Sequence, residues 1–361
     1  MSIVATVSTK GRYFTTLPIT LSAIANQTRT PDRLIIFDDN DNPRDLRRES
    51  PYSDGIFPLL HSKNIECNVV YGKRMGQVVN HQAALEICSG KIPLPGGVTI
   101  NGDVIIRFDD DLTPEYNVID TLYNTLMSRP NVGAVGGMVW IPGNVCPNHQ
   151  ASNKIEDVFT GLNWQWFSQP KDKIISVDHL SNPIMYRVEA GQHGYCRELS
   201  PVGHREETLF VYEMKRAGWE ILVNPSVVSW HMKQSTGGIR SYKDTSLWAK
   251  DEEVFKKKLS SWGIRPREAK YIIMDNGIGD HWVFKGLWPE IREKYKDKRI
   301  MLGLCWPDVF WDIDLSDVTM VTMADARQAG VNLPSLSVYK WMMDHHWQGS
   351  LEGAFRELYL K

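Results

Sequence analysis

Four short runs, Ser2–Ser8, Arg33–Phe37, Cys67–Tyr71 and Val104–Phe108, are rich in apolar and β-branched residues. Their length and composition predict buried strands. Helical spacing falls between them: Leu17, Leu21, Ile24 and Ala25 after the first run, and Val78, Val79, Ala83, Ala84 and Ile87 after the third. Pro18 is tolerable there only in a first turn. Such alternation folds as a mainly parallel sheet with right-handed crossovers, and its ligands lie beyond the strand C-termini. Two of those ends are acidic. The second run leads into Asp38-Asp39, and the fourth into Asp109-Asp110-Asp111.

Three adjacent carboxylates repel one another unless a cation or hydrogen-bond donors neutralise them. If the backbone stays extended, Asp109 and Asp111 share one face and Asp110 points away. That pair offers oxygen ligands to a hard divalent cation. A solvated acidic turn before a helix starting near Thr113-Pro114-Glu115 is the competing reading. A second acidic strand end, at Asp39, favours a site.

Beyond Asn131 the pattern changes. Val132–Trp140 reads as a strand, and residues from about Pro142 to Asp178 as loop, with Trp164, Trp166 and Phe167 together. Pro183–Glu189 is a further strand. Gly203-His204-Arg205-Glu206-Glu207-Thr208 opens a helix that ends near Arg216-Ala217-Gly218, and Glu220–Val223 and Ser226–His231 follow as two short strands. The charge run from Asp251 to Lys258 reads as the solvated face of a helix ending at Gly263. A fresh α/β unit then begins with Lys270–Met274, a Gly277-Ile278-Gly279-Asp280 turn and a helix carrying Val283, Leu287 and Ile291. Arg299–Leu304 and Val318–Val321 are its further strands. The expected division is 1–240, a helical connector at 241–267, and an accessory domain at 268–361.

The 361 residues carry a formal charge of −2 and no long basic run, so electrostatic nucleic-acid binding has no basis in the sequence. No apolar stretch is long enough to span a bilayer, and the N-terminus lacks the pattern of a signal peptide. Five cysteines without Cys-x-x-Cys spacing argue against a disulfide framework or zinc site. Reduced thiols in a cytoplasmic protein are the expectation.

Taken in order, these segments resemble the inverting glycosyltransferases of family 2. The residues that carry the resemblance are the opening strand, Gln27-Thr28-x-x-Pro31, Ile36-Phe37-Asp38-Asp39 and Asn80-x-x-x-Ala84. After them come Asp109-x-Asp111, Glu206-Glu207 with Arg216-Ala217-Gly218-Trp219, and Val227-Val228-Ser229-Trp230-His231. The resemblance covers about residues 1–240. It implies a GT-A fold, a mixed and mostly parallel sheet with helices on both faces, joined here to a small Rossmann-like domain. The Gly277-Ile278-Gly279-Asp280 turn resembles one half of a heptosyltransferase-like GT-B enzyme. One half cannot close a donor cleft, so bracing or homo-oligomer formation is its expected use.

The resemblance also implies site roles. Asp39, Thr6 and Ser8 would hold the donor's base, Asp109 the ribose and metal, and Asp111 and His231 the metal, Mn²⁺ or Mg²⁺. Lys73 and Arg74 would contact phosphate. Glu207 would be the general base, with Glu206 as the family's first acidic residue and the other candidate. Partners would be a nucleotide-sugar donor, UDP-linked by preference, and a hydroxyl-bearing acceptor, with a modified nucleobase left open. Three departures stand out: no proline follows the first strand, glutamate replaces the commoner aspartate at Glu207, and Lys91–Asn101 is inserted. A nucleotidyltransferase would show a Gly-rich basic loop after the first strand, which Ser8-Thr9-Lys10-Gly11-Arg12 imitates poorly. A non-catalytic carbohydrate-binding or scaffold protein is the remaining alternative.

Overall fold

The structure is a computed structural model, and it describes residues 1–72, 75–142, 155, 174–238, 242–265, 268–274, 277–315, 318–322 and 338–361. The chain divides into two compact units, the first spanning Met1–Ala151 and Lys171–Ile264, the second holding Arg265–Lys361.

In the first unit, β1 (Ile3–Thr9), β2 (Arg33–Asp38), β3 (Glu66–Tyr71) and β4 (Val104–Asp109) pair in parallel in the order β3-β2-β1-β4. Their β-branched and aromatic side chains pack with Leu17, Leu21 and Ile24 of α1 (Thr16–Ala25) into one core. A second helix, α2 (Phe57–Ser62), precedes β3, and α3 (Gln77–Cys88) follows it.

The sheet then turns mixed. β5 (Leu112–Pro114), α4 (Val118–Met127) and β6 (Val132–Trp140) lead to β7 (Ile175–Ser176) and β8 (Ile184–Arg187), and α5 (Glu206–Arg216) precedes β9 (Glu220–His231). β8 lies antiparallel between β4 and β6, β9 runs parallel to β6, and β5 closes the far edge antiparallel to β9. This is an α/β architecture built on a large, mixed and mostly parallel sheet, as the resemblance implied.

Three expectations are corrected. The helix expected near Thr113 starts at Val118, because Leu112–Pro114 is taken up as an edge strand, where proline's missing N–H does no harm. The two strands around Asn224-Pro225 are one, β9, and its register against β6 shifts between Gly136 and Met138. The bulge absorbs the proline. The charge run at 251–258 lies on α6 (Ser246–Ser261), but Asp251 is fully buried and Glu252 is paired to Arg205.

The second unit holds a parallel sheet of β10 (Ala269–Met274), β11 (Arg299–Leu304) and β12 (Thr319–Thr322). Helices α7 (Ile278–Gly286) and α8 (Trp288–Lys294) follow β10, and Phe284, Trp288 and Ile291 pack with Leu302 and Phe355 in a core of their own. Asp280 Oδ2 accepts from the Gly277 N–H at 3.0 Å, which caps the start of α7. No helix among the described residues is long and apolar enough to cross a membrane.

Candidate active site

The parallel registers set Ser8 beside Asp109 and Thr9 beside Asp38, so the ends of β1, β2 and β4 open onto one edge. A cleft of about 240 Å³ lies there, and Ser8, Asp39, Asp109, Asp111, Glu207 and His231 all line it. Thr6 does not. It sits two residues back in β1, buried between Ile35 and Arg107 in register. Lys73 and Arg74, like Trp164 and Trp166, lie outside the described residues. The inserted segment at 91–101 is closed by a Leu94–Val98 bridge and contributes no residue to the cleft lining.

Asp39 is buried, and its carboxylate accepts from the Gly76 N–H at 3.1 and 3.2 Å. Gly76 has φ +89°, and a Cβ there would meet the Pro201 Cα at 2.5 Å, so only glycine fits this approach.

The Asp109-Asp110-Asp111 triplet is not a continued strand. β4 ends at Asp109, and the chain turns through Asp110 and Asp111 into β5. Burial and the neighbouring Asp111 raise the Asp109 pKa, while Asn182 Nδ2 donates to its Oδ1 at 2.6 Å. Asp110 accepts from Thr9 Oγ1 at 2.8 Å and from the Lys10 N–H at 3.2 Å. Burial pushes its pKa up to about 6, opposed by the ion pair with Arg12. Asp111 meets Arg12 Nη2 at 3.1 Å through Oδ2, and His231 Nε2 at 3.3 Å through Oδ1.

The carboxylates suit manganese or magnesium in chemistry, whereas the imidazole is a ligand more typical of softer transition metals. Among the described residues no three His, Cys, Asp or Glu side chains are gathered around a metal-sized space. Instead Arg12 supplies the positive charge that the acids require, held by its Nε donating to Thr236 O at 3.2 Å. Asp111 would have to exchange this guanidinium for a metal ion.

The two glutamates on the first turn of α5 part company. Glu206 is fully buried, paired with Arg107 and accepting from Gln77 Nε2 at 2.9 Å. Burial alone would raise its pKa, but Arg107 outweighs burial and holds it below the usual carboxylate range. His81, 3.7 Å from the same carboxylate, is neutral, since burial and Arg107 push its pKa down to about 3. Glu207 faces the cleft. Burial first, then the charge of Glu206, raise its pKa to about 8.

The turn before these glutamates is held from α6. Asp251 accepts from the Ser200 N–H at 2.6 Å, Ser200 Oγ at 2.9 Å and the His204 N–H at 2.8 Å. Arg205, with φ +70°, makes the last step into α5 and pairs with Glu252 at 3.1 Å. Sequence reasoning missed Lys10, Arg12, Arg107, Asn182 and Asp251. Only Arg107 left a usable signal, because a charge inside an apolar strand demands a partner.

The Glycosyl transferase family 2 profile matches residues 5–190. No curated protein matches the chain. Among solved structures, S. aureus TarS 1–349 aligns with a TM-score of 0.41 at 14% identity, covering 64% of this chain and 60% of that one. GalNAc-T7 with UDP, GalNAc and Mn²⁺ gives 0.49 at 12% identity, with 92% and 58% coverage. A mycobacterial protein gives 0.44 at 15% identity, with 77% and 80% coverage. The chain thus spans about six-tenths of the first two.

Proposed function

The chain belongs to glycosyl transferase family 2, and from that premise we propose that its cleft moves a sugar from a UDP-sugar to an acceptor hydroxyl with inversion, assisted by Mn²⁺ or Mg²⁺. The observation that carries this reading is Glu207, a carboxylate with a raised pKa in the same cleft as Asp109 and Asp111.

In this reading Asp39 and Ser8 hold the donor's base, and Asp109, Asp111 and His231 would hold the metal only once Asp111 has released Arg12 and the three groups draw together. The metal, when bound, neutralises charge on the departing diphosphate. Glu207 takes the proton of the acceptor hydroxyl as that oxygen attacks the anomeric carbon. The new carbon–oxygen bond forms on the face opposite the breaking bond to phosphate, so the configuration inverts and the diphosphate leaves with the bonding pair. A raised pKa makes Glu207 a stronger base than an ordinary carboxylate. Glu206, locked by Arg107, is not the base.

The basic residues after β1 line the cleft but are already engaged, Lys10 with Asp39 O at 3.0 Å and Arg12 with Asp110 and Asp111. That engagement favours glycosyl transfer over nucleotidyl transfer, which needs such a loop open to phosphates. The second unit is proposed as an accessory without donor chemistry. Calorimetry of UDP with and without Mn²⁺, followed by UDP release from UDP-glucose and UDP-N-acetylgalactosamine, tests the proposal. Equal UDP affinity in both conditions and no release from any UDP-sugar would overturn it.

A further inference from the structure

Arg107 is a fully buried arginine in the middle of β4, two residues before Asp109. A guanidinium withdrawn from water is costly unless each of its donors finds an acceptor. Here the acceptors of Nη1 and Nη2 belong to segments remote in sequence, while Nε is buried with no hydrogen-bond partner among the described residues. Nη1 donates to Glu206 Oε2 at 2.9 Å and to Tyr195 Oη at 3.2 Å, and Nη2 completes a two-point grip on Glu206 Oε1. Tyr195 is in turn stacked on Phe210 of α5, with ring centroids 3.8 Å apart. Gln77, at the start of α3, holds Glu206 Oε1 from the other side. The fork geometry of a guanidinium fixes direction as well as distance.

We propose that Arg107 is a positioning residue for transfer: by gripping Glu206 it fixes the first turn of α5 against β4 and so sets Glu207 toward the cleft edge formed by Asp109. The inference rests on Glu207 being the base. The strand that ends in Asp109 and the helix that begins with Glu206-Glu207 are thereby aligned by one pair of side chains. This gives Glu206 a purpose that its burial otherwise denies it.

The grip has an electrostatic side. Glu207 is faced by Glu206 on its own helix and by Arg107 and Asp109 of β4. It shares the cleft with His81 of α3 and with His204 and Arg205 of the preceding turn. With the pair intact, the charges of Arg107 and Glu206 oppose each other at Glu207. Neutralising Glu206 leaves Arg107 unbalanced, which favours the ionised form of Glu207.

The test uses the full chain and three variants. In Glu206→Gln, UDP affinity by calorimetry should stay within twofold, kcat for UDP release from the accepted UDP-sugar should fall at least tenfold, and the acid limb of the rate profile should move to lower pH. The double variant Arg107→Met/Glu206→Met swaps the buried pair for apolar side chains, a change that cores tolerate. It should fold, bind UDP and remain at least tenfold slow. Tyr195→Phe, which keeps the ion pair, should lower kcat severalfold at unchanged UDP affinity, and it decides the matter if the other two fail to fold. Wild-type kcat in a folded variant would overturn the inference. So would parallel loss of UDP affinity and kcat with an unmoved acid limb, the mark of a purely structural pair. Failure of the base assignment is read separately, from wild-type turnover in Glu207→Gln.

Discussion

Arg12 meets Asp111 at 3.1 Å and also pairs with Asp110, so one buried guanidinium serves two carboxylates of the acidic turn. Removing it takes the guanidinium from both, leaving Asp110 the Thr9 and Lys10 donors and Asp111 the His231 imidazole. Arg12→Met should cost about 3–5 kcal/mol of stability, as expected when one partner of a buried ion pair is lost. Because Asp111 then lacks its guanidinium, Mn²⁺ should raise the melting temperature of the variant more than that of the wild type. Thermal denaturation with and without Mn²⁺ measures both effects, and an equal gain would count against Asp111 as a ligand.

Asp111→Asn should abolish the cation dependence of UDP binding. The amide keeps the shape but loses the charge that a divalent ion requires. Calorimetry of UDP in the presence of Mn²⁺ and of chelator reads the difference directly.

Glu207→Gln should retain UDP affinity and lose about 10²- to 10⁴-fold in turnover. The base must be ionised, so the wild-type rate should climb with pH through the raised pKa of about 8. Stability runs the other way. Between the ordinary 4.5 and that raised value, the folded protein keeps a proton that the unfolded chain has released. Folding is therefore weakened as pH rises through this window. Glu207→Gln should flatten that slope, seen as a smaller fall in melting temperature from pH 5 to pH 8 in metal-free buffer.

Asp251→Ala removes the acceptor for Ser200 N–H, Ser200 Oγ and His204 N–H. Orphaning buried donors of this kind costs on the order of 3 kcal/mol. The loosened turn feeds straight into α5, so kcat should fall with it. Urea unfolding and UDP-release kinetics check the two together; a destabilised but fully active variant would uncouple the brace from the site.

Asp280→Ala should remove the cap on α7 and cost about 1 kcal/mol in the second unit. UDP release should be unchanged. A loss of UDP release would place donor chemistry in the second unit.

The parallel half of the sheet was legible because four β-branched runs recur between Ile3 and Phe108, with helical spacing after the first and the third. The acidic strand ends were legible for the same reason, since topology alone brings Asp39 and Asp109 to one edge. What stayed hidden depends on turns and on distant pairings. The bend at Asp110-Asp111 leaves no mark in composition, and Pro225 reads as a break although a register shift carries the strand through it. Arg12 looked like part of a poor phosphate loop because its carboxylate partners lie far along the chain. Asp251 looked solvated because a charge run on a helix usually is. Glu206 and Glu207 are chemically identical in sequence, and only the position of Arg107 separates them.

Leu112 pairs with His231 across β5 and β9, and the Met232 N–H donates to Asp111 O at 2.9 Å. Asp111 and His231 are thus brought together by main-chain pairing between segments from distant parts of the chain. During synthesis the acidic turn emerges long before the strand that completes it, and such non-local pairing is slow to form. The four parallel strands can assemble while the site is still lacking His231. A ligand that needs both residues recognises only the finished sheet, and each copy it binds draws the population away from unfinished chains.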